Sequence, residues 1–235
     1  MSEFAAVVLS AGSGKRMNSD IPKQYMHIHG RPVIYYSLKA LEESGFSTIV
    51  LVCSEDYVEY CQKEIVERYG FSSVKAVVPG GKERYHSVYE GLKAIDSADY
   101  VMIHDGARPM LNQAILTRLK DALKEKDAVV AGMPVKDTIK IVDEKGCVKE
   151  TPARKYVWQV QTPQCFAYPL IYDAYKRLLE DEKSGVPIPE VTDDAMVLSY
   201  SSDIAIRMVE ADYRNIKITT PEDMLVAEQF LQSDL

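Results

Sequence analysis

Between Ser10 and Arg31 this 235-residue chain carries four basic side chains, Lys15, Arg16, Lys23 and Arg31, against one acid, Asp20. The local charge of +3 sits on a chain of formal net charge −7, so the remaining residues sum to −10. A positive island on an acidic protein suits a compact polyanion rather than a nucleic acid, which needs a broad basic face. The first of these cations belong to Leu9-Ser10-Ala11-Gly12-Ser13-Gly14-Lys15-Arg16-Met17, directly after the apolar run Phe4–Leu9. A glycine turn at the carboxyl end of a buried strand presents outward-facing N–H groups, so the chemistry to expect is phosphate binding. Two familiar phosphate loops do not match. Gly12 and Gly14 are one residue apart and followed by Lys15-Arg16, unlike a P-loop, and Met17 stands where a dinucleotide fingerprint needs a small residue.

Two further stretches combine a turn with reactive side chains. Pro79-Gly80-Gly81-Lys82-Glu83-Arg84-Tyr85-His86-Ser87 forms a second glycine turn after an apolar run, and two such turns side by side can sandwich a base. His104-Asp105-Gly106-Ala107-Arg108-Pro109 ends another apolar run, and a carboxylate at a strand tip beside phosphate is a usual holder of Mg²⁺. No serine elbow and no Cys-His nucleophile pattern is present. Cys53, Cys61, Cys147 and Cys165 are scattered, as expected for reduced packing thiols, and His27 and His29 lack the companions a metal site needs.

Positioning these groups falls to an alternation of strands and helices. Phe4–Leu9, Thr48–Val52, Ser73–Val78, Tyr100–His104 and Ala128–Met133 read as buried strands, with helices over Pro32–Leu41, Tyr57–Tyr69 and Leu111–Lys124 and one after the second glycine turn with Val88, Leu92 and Ile95 on its inner face. This is the doubly wound α/β pattern, with right-handed crossovers. From Pro134 to Glu150 the pattern changes to alternation about a Glu144-Lys145-Gly146 turn, a hairpin projecting from the sheet. Arg154–Gln164 returns the chain to the sheet, Tyr168–Asp181 is helical, Thr192-Asp193-Asp194-Ala195 opens another helix with a Ser/Thr/Asp cap, Ile204–Val209 is a late strand, and a helix ends near Leu231. With 46% hydrophobic residues and no linker or repeat, the chain reads as one domain over 1–235 with an arm at about 135–155. No apolar stretch approaches a membrane span and the N-terminus lacks a signal sequence, so a cytoplasmic protein with no membrane or nucleic-acid partner is expected.

The first loop with Pro22-Lys23-Gln24-Tyr25, the G-G-x-E-R-x-x-S turn, H-D-G-A-R-P, Gln161-Thr162-Pro163-Gln164 and Asn215-Ile216-Lys217-Ile218-Thr219 together resemble the sugar-nucleotide and polyol-phosphate nucleotidyltransferases. More narrowly they resemble the 2-C-methyl-D-erythritol 4-phosphate cytidylyltransferase family. The resemblance implies a Rossmann-like, mostly parallel sheet of about seven strands, dimerisation through the β-arm, Mg²⁺ as cofactor, and CTP and a polyol phosphate as substrates. It implies that Ser10, Ala11, Gly12, Gly14 and Lys15 bind the nucleotide and that Gly81, Lys82 and Ser87 recognise cytosine. Arg16 and Lys23 would stabilise the transition state, while Arg154 and Lys217 hold the attacking phosphate. Asp105 would contact metal and acceptor, with Arg108, Thr138, Thr162 and Thr192 completing the acceptor site. Thr138 and Arg154 lie on the arm and would serve the partner's site.

Ser10, where alanine or glycine is also common, and Lys82, often aspartate, depart from the family pattern at positions expected to act through backbone. Ribitol 5-phosphate cytidylyltransferases share nearly every motif, but tend to carry Gly-Gly near position 11 and H-D-S-V-R-P in place of H-D-G-A-R-P. A non-catalytic nucleotide-binding protein on the same fold would be expected to lack one of Arg16, Lys23, Asp105, Arg154 or Lys217, and all five are present.

Overall fold

The computed structural model of this chain describes residues 2–12, 17 and 21–232. In chain order its strands are β1 (Phe4–Leu9), β2 (His27–Ile28), β3 (Arg31–Pro32), β4 (Thr48–Cys53), β5 (Val74–Pro79), β6 (Tyr100–Asp105), β7 (Ala128–Pro134), β8 (Ile141–Val142), β9 (Val148–Glu150), β10 (Trp158–Ala167) and β11 (Arg207–Glu210). The α-helices are α1 (Val33–Glu43), α2 (Val58–Tyr60), α3 (Arg84–Lys93), α4 (Gln113–Leu123), α5 (Tyr168–Lys183), α6 (Asp194–Ser201) and α7 (Pro221–Gln232).

Seven strands form one sheet in the order β11-β7-β10-β6-β1-β4-β5. All neighbours are parallel except β10, which runs antiparallel to both β6 and β7. From β1 the chain winds outward through β4 to β5, then crosses back to place β6 on the other side of β1. The loops leaving β1 and β6 therefore diverge, which opens a crevice at their carboxyl ends, where open α/β sheets bind ligands.

Alternate residues of β1 serve opposite faces. Ala6 and Val8 pack with Ile34 and Leu38 of α1 and with Ile115 and Leu119 of α4. Ala5 and Val7 pack with Val88 and Leu92 of α3, Tyr175 of α5 and Leu198 of α6. Both faces being covered, β1 has to be apolar throughout, and Ala5 to Val8 are completely buried. A smaller cluster seats α7 through Ala227 and Leu231 on Met17, Val33 and Ile218.

The structure differs from the sequence reading at several element ends. Pro32 lies outside the first turn, as the residue that caps α1. The helix expected over Tyr57–Tyr69 starts as a short 3₁₀ turn, Glu55–Tyr57, and is π-helical over Cys61–Glu67, a hydrogen-bond shift that side-chain periodicity does not reveal. The late strand is confined to Arg207–Glu210. The hairpin expected after β7 pairs over only a few residues: β8 and β9 run antiparallel around Gly146, which takes φ +79°. No helix among the described residues is long and apolar enough to cross a membrane.

Gly91 shows how closely α3 approaches the sheet. A Cβ there would lie 2.5 Å from Val7 Cγ1 and 2.8 Å from Val52 Cγ2. Both are buried core atoms, so Gly91→Ala forces α3 away from β1 and β4. We expect a loss of about 1–3 kcal/mol despite the better helix propensity of alanine, read as a lower midpoint in urea unfolding; an unchanged or higher midpoint would contradict this packing.

Candidate active site

The crevice beside β1 and β6 is a cleft of about 470 Å³. Its walls are Leu9 to Gly12 after β1, Lys23 and Gln24 from the following turn, Gly81 to Arg84 and Ser87 at the start of α3, Asp105 and Ala107 after β6, and Lys217. Lys23, Lys82, Arg84 and Lys217 outnumber the two carboxylates, Glu83 and Asp105, so the lining favours an anion.

Asp105 organises the floor. Lys217 Nζ lies 2.9 Å from its Oδ2, Arg84 Nε 3.4 Å from its Oδ1, and Arg108 Nε 3.8 Å from Oδ2. Burial by itself pushes the Asp105 carboxyl upward, but the charges of Arg84, Lys217 and Arg108 outweigh it and hold the group well below the ordinary carboxylate range. It is therefore ionised in a nearly closed setting. Its backbone is fixed as well: Asp105 N–H donates to Thr162 Oγ1 at 3.0 Å, Thr162 Oγ1 is 3.1 Å from His104 Nδ1, and His104 Nε2 is 3.3 Å from the carbonyl of Arg108. Burial pushes the His104 imidazole down to about 4, so at neutral pH it is uncharged. A neutral ring that accepts from the Thr162 hydroxyl on Nδ1 and donates from Nε2–H satisfies all three contacts.

Each cation around Asp105 is held from a different part of the chain. Arg84 opens α3 and makes a bidentate pair with Asp194 at 2.7 and 2.9 Å. Asp194, completely buried, also accepts from the Tyr175 hydroxyl. Arg108 donates from Nη1 to the Asn215 carbonyl at 2.8 Å, and the Asn215 amide donates to Gln161 Oε1 and the Thr162 carbonyl, both at 2.9 Å. Lys217 follows in the same extended segment, which Asp223 anchors by accepting from the amides of Thr219 and Thr220 at 2.7 and 2.9 Å.

The two glycine turns flank the cleft. A Cβ on Gly80 would meet Ser87 Oγ at 2.7 Å and Ala11 Cβ at 2.9 Å, so this turn packs directly on the first loop. Gly81 N–H donates to Ser87 Oγ at 3.1 Å, which folds the turn around that hydroxyl. Gln24 donates to the carbonyls of Ser10 and Gly12 and so fixes the start of the first loop. The Ser10 side chain faces inward, bonding the Val52 carbonyl at 3.0 Å and the Tyr25 hydroxyl at 3.1 Å. This departure from the family pattern is thus absorbed by the core, and only backbone is left for a ligand.

Of the residues expected at the site, Ser10, Ala11, Gly12, Lys23, Gly81, Lys82, Ser87, Asp105 and Lys217 line one cleft, with Arg108 and Thr162 directly behind Asp105. Gly14, Lys15 and Arg16 lie outside the described residues. Thr138 and Arg154 are exposed at the base of the arm, where Arg154 donates to the Lys136 carbonyl at 3.0 Å, and neither lines this chain's cleft. Thr192 is exposed and contacts Met196 Sδ, and the cap of α6 is Asp193, which accepts from Met196 N–H at 3.0 Å. Arg84 and Asp194 were missed as functional residues. Their pairing spans 110 positions, and no spacing in the sequence links the two.

No group of three or more His, Cys, Asp or Glu side chains among the described residues could by itself hold a metal. Asp105 offers one hard oxygen-bearing group at the cleft floor, a donor set that fits Mg²⁺ completed by substrate phosphates and water, not a caged ion.

A doubly wound sheet whose switch-point crevice is cationic and flanked by two glycine turns is the architecture of a nucleotide-binding α/β protein. The model of the 2-C-methyl-D-erythritol 4-phosphate cytidylyltransferase family matches residues 4–233. The chain belongs to that family, and is a nucleotidyltransferase. It is 49% identical over 228 residues to 2-C-methyl-D-erythritol 4-phosphate cytidylyltransferase of Lachnospira eligens, covering 97% of this chain and 98% of the relative. It is 42% identical to the protein of that name from Caldanaerobacter subterraneus, covering 97% and 98%. The crystal structure of 4-diphosphocytidyl-2C-methyl-D-erythritol synthase from Anaerococcus prevotii superposes with a TM-score of 0.82 at 34% identity, over 98% of this chain and 99% of that one.

Two outcomes test this geometry. Arg84→Ala leaves the buried Asp194 charge unpaired and should cost about 3–5 kcal/mol, with Arg84→Ala/Asp194→Ala costing less than the sum of the single variants in urea unfolding. Strict additivity would contradict the pairing. Asp223 is held below the ordinary carboxylate range because hydrogen bonds from Thr219 and Thr220 outweigh burial. A depressed carboxyl contributes stability that is fully present above its unfolded value of about 3.9 and is lost as pH falls from there through its lower folded value. Asp223→Asn should therefore flatten the acid limb of a thermal-midpoint profile, and a parallel profile would contradict the anchor.

Proposed function

We propose that the protein joins CTP to 2-C-methyl-D-erythritol 4-phosphate, giving 4-diphosphocytidyl-2-C-methyl-D-erythritol and pyrophosphate. The observation that carries this reading is the convergence of Lys23, Arg84, Lys217 and Arg108 on a switch-point cleft in a chain whose relatives bear that enzyme's name. The same relatives favour methylerythritol phosphate over ribitol 5-phosphate as acceptor.

An oxygen of the acceptor phosphate attacks the α-phosphorus of CTP, the bond from that phosphorus to the oxygen bridging to the β-phosphate breaks, and pyrophosphate departs with the bonding pair. The attacking group is already an anion, so no base and no enzyme nucleophile is required. What opposes the step is repulsion between anions while charge grows on the bridging oxygen. Cations fixed before the substrates arrive counter it, each typically worth a few kcal/mol of barrier. Lys23 and Arg16 take the triphosphate, and Lys217 takes the acceptor phosphate with Arg108 supporting it from behind Asp105. The glycine turn from Gly80 to Ser87 takes the cytosine, its packing on Ala11 setting the width of the slot. Asp105 would hold Mg²⁺, which when bound supplies charge neutralisation between phosphate oxygens.

The arm completes the site across a two-fold axis. Ile141, Val142 and Val148 on β8 and β9 are 46%, 50% and 59% exposed, an apolar surface that a two-stranded hairpin cannot keep ordered alone. A second copy covers it, and the exposed Thr138 and Arg154 then serve the partner's acceptor site.

Pyrophosphate release assayed with CTP and each polyol phosphate separately tests the reaction: turnover with methylerythritol phosphate supports it, and turnover with ribitol 5-phosphate alone overturns the acceptor assignment. Lys23→Ala should lower kcat far more than it weakens CTP binding, and normal turnover would refute the role given to Lys23. Arg154→Ala should mainly raise the acceptor KM. Mixing these two inactive or impaired variants should restore activity that neither has alone, because a mixed dimer contains one intact site. Failure to complement would place Arg154 outside the partner's site.

A further inference from the structure

The base-binding turn is tied to the rest of the molecule by a side chain that none of the chemistry above uses. His86, in the first turn of α3, sits against Gly81 so closely that a Cβ on that glycine would lie 2.4 Å from its own Cβ. Its Nδ1 accepts from Glu83 N–H at 3.3 Å, one half of a capping box. Its Nε2 lies 2.9 Å from Glu182 Oε2, near the end of α5. Tyr85 stacks on the imidazole at 4.4 Å between centroids and donates its hydroxyl to the other Glu182 oxygen at 2.6 Å. The charged and titratable groups around the ring are thus Glu83 and Lys82 on the turn, Tyr85 on α3 and Glu182 on α5, with Lys82 adding to the positive field at Glu182.

The two nitrogens have opposite duties. An amide can only donate, so Nδ1 must be the lone-pair nitrogen and Nε2 must carry the hydrogen directed to Glu182. The doubly protonated ring keeps its contact with Glu182, but Nδ1–H then faces Glu83 N–H, donor against donor. The turn loses its acceptor whatever the gain at α5.

We propose that His86 is a positioning residue for nucleotide binding: its neutral ring clamps the turn from Gly81 to Glu83 against α5, and protonation of that ring releases the turn and weakens CTP binding without slowing the chemical step. This rests on the reading of the turn as the cytosine site.

Steady-state kinetics and amide hydrogen exchange together test it. At pH 7.5, His86→Ala should raise the CTP KM about fivefold with kcat within about twofold, the loss expected for one hydrogen bond. His86→Asp restores an acceptor at the same helical position. Lacking the donor to Glu182, it should have a KM at pH 7.5 between those of the wild-type protein and His86→Ala, and lack the further rise, about fivefold, that the wild-type protein shows at pH 5.5. An unchanged KM in His86→Ala, or the same rise in His86→Asp as in wild type, overturns the proposal. The exchange arm uses protein without nucleotide and so stands apart from the assigned reaction. The amides from Gly81 to Glu83 should exchange faster in His86→Ala than in wild type or His86→Asp, and equal rates in all three overturn the proposal even if no substrate is turned over.

Discussion

Everything in the cleft is arranged about one buried carboxylate that must stay ionised. Asp105 stands at the tip of a central strand, where desolvation would neutralise it, and three cations from separate segments keep the charge in place. Taking ions out of water is costly, and the cost is recovered only when geometry and hydrogen bonds are complete. The completeness is visible behind the cluster, in the chain of contacts from Asp105 through Thr162 and His104 to Arg108, and in the Asn215 amide that ties Arg108 to β10. A positive site is thereby preorganised on an acidic protein: Arg84, Arg108 and Lys217 are held in position by their mutual carboxylate before any phosphate arrives.

The fold supplies the place for this cluster through the winding of its sheet. Because β6 returns to the opposite side of β1 from β4, loops from two neighbouring strands part and leave their carboxyl ends uncovered. The antiparallel β10 then brings Gln161 and Thr162 behind β6, at the point where its register against β7 shifts. Small residues permit the close approaches. Gly91 lets α3 settle on β1 and β4, and Gly80 lets the second turn rest on the first. The cleft is thus built on strand ends, while Lys217, in the extended segment that Arg108 holds through the Asn215 carbonyl, lines it from the far edge.

Legibility from sequence followed the range of the interactions involved. The five consecutive parallel-type strands were readable because burial on both faces forces continuous apolar runs such as Ala5–Val8. The glycine turns and the His104–Pro109 segment were readable because chemistry there is carried by neighbouring residues. The π-helical stretch Cys61–Glu67 was not, since its apolar spacing is close to that of an α-helix. Asp193 rather than Thr192 caps α6 because both types suit that position and only the backbone decides between them. Arg84 and Asp194 escaped because an ion pair across 110 residues leaves no local trace, whereas Lys217 was found only through resemblance to a known motif. The inward turn of Ser10 likewise depends on Tyr25 and Val52, which no spacing rule links to it.

The central claim is that cations gathered at one switch point receive a triphosphate and an acceptor phosphate side by side. A crystal structure of the protein with CTP bound addresses it most directly. The account predicts cytosine against the turn from Gly80 to Ser87, the triphosphate running past Gly12 toward Lys23, and Lys217 left facing the open side of the α-phosphate. A triphosphate seated elsewhere, or one that Lys23 and Lys217 both turn away from, would contradict it.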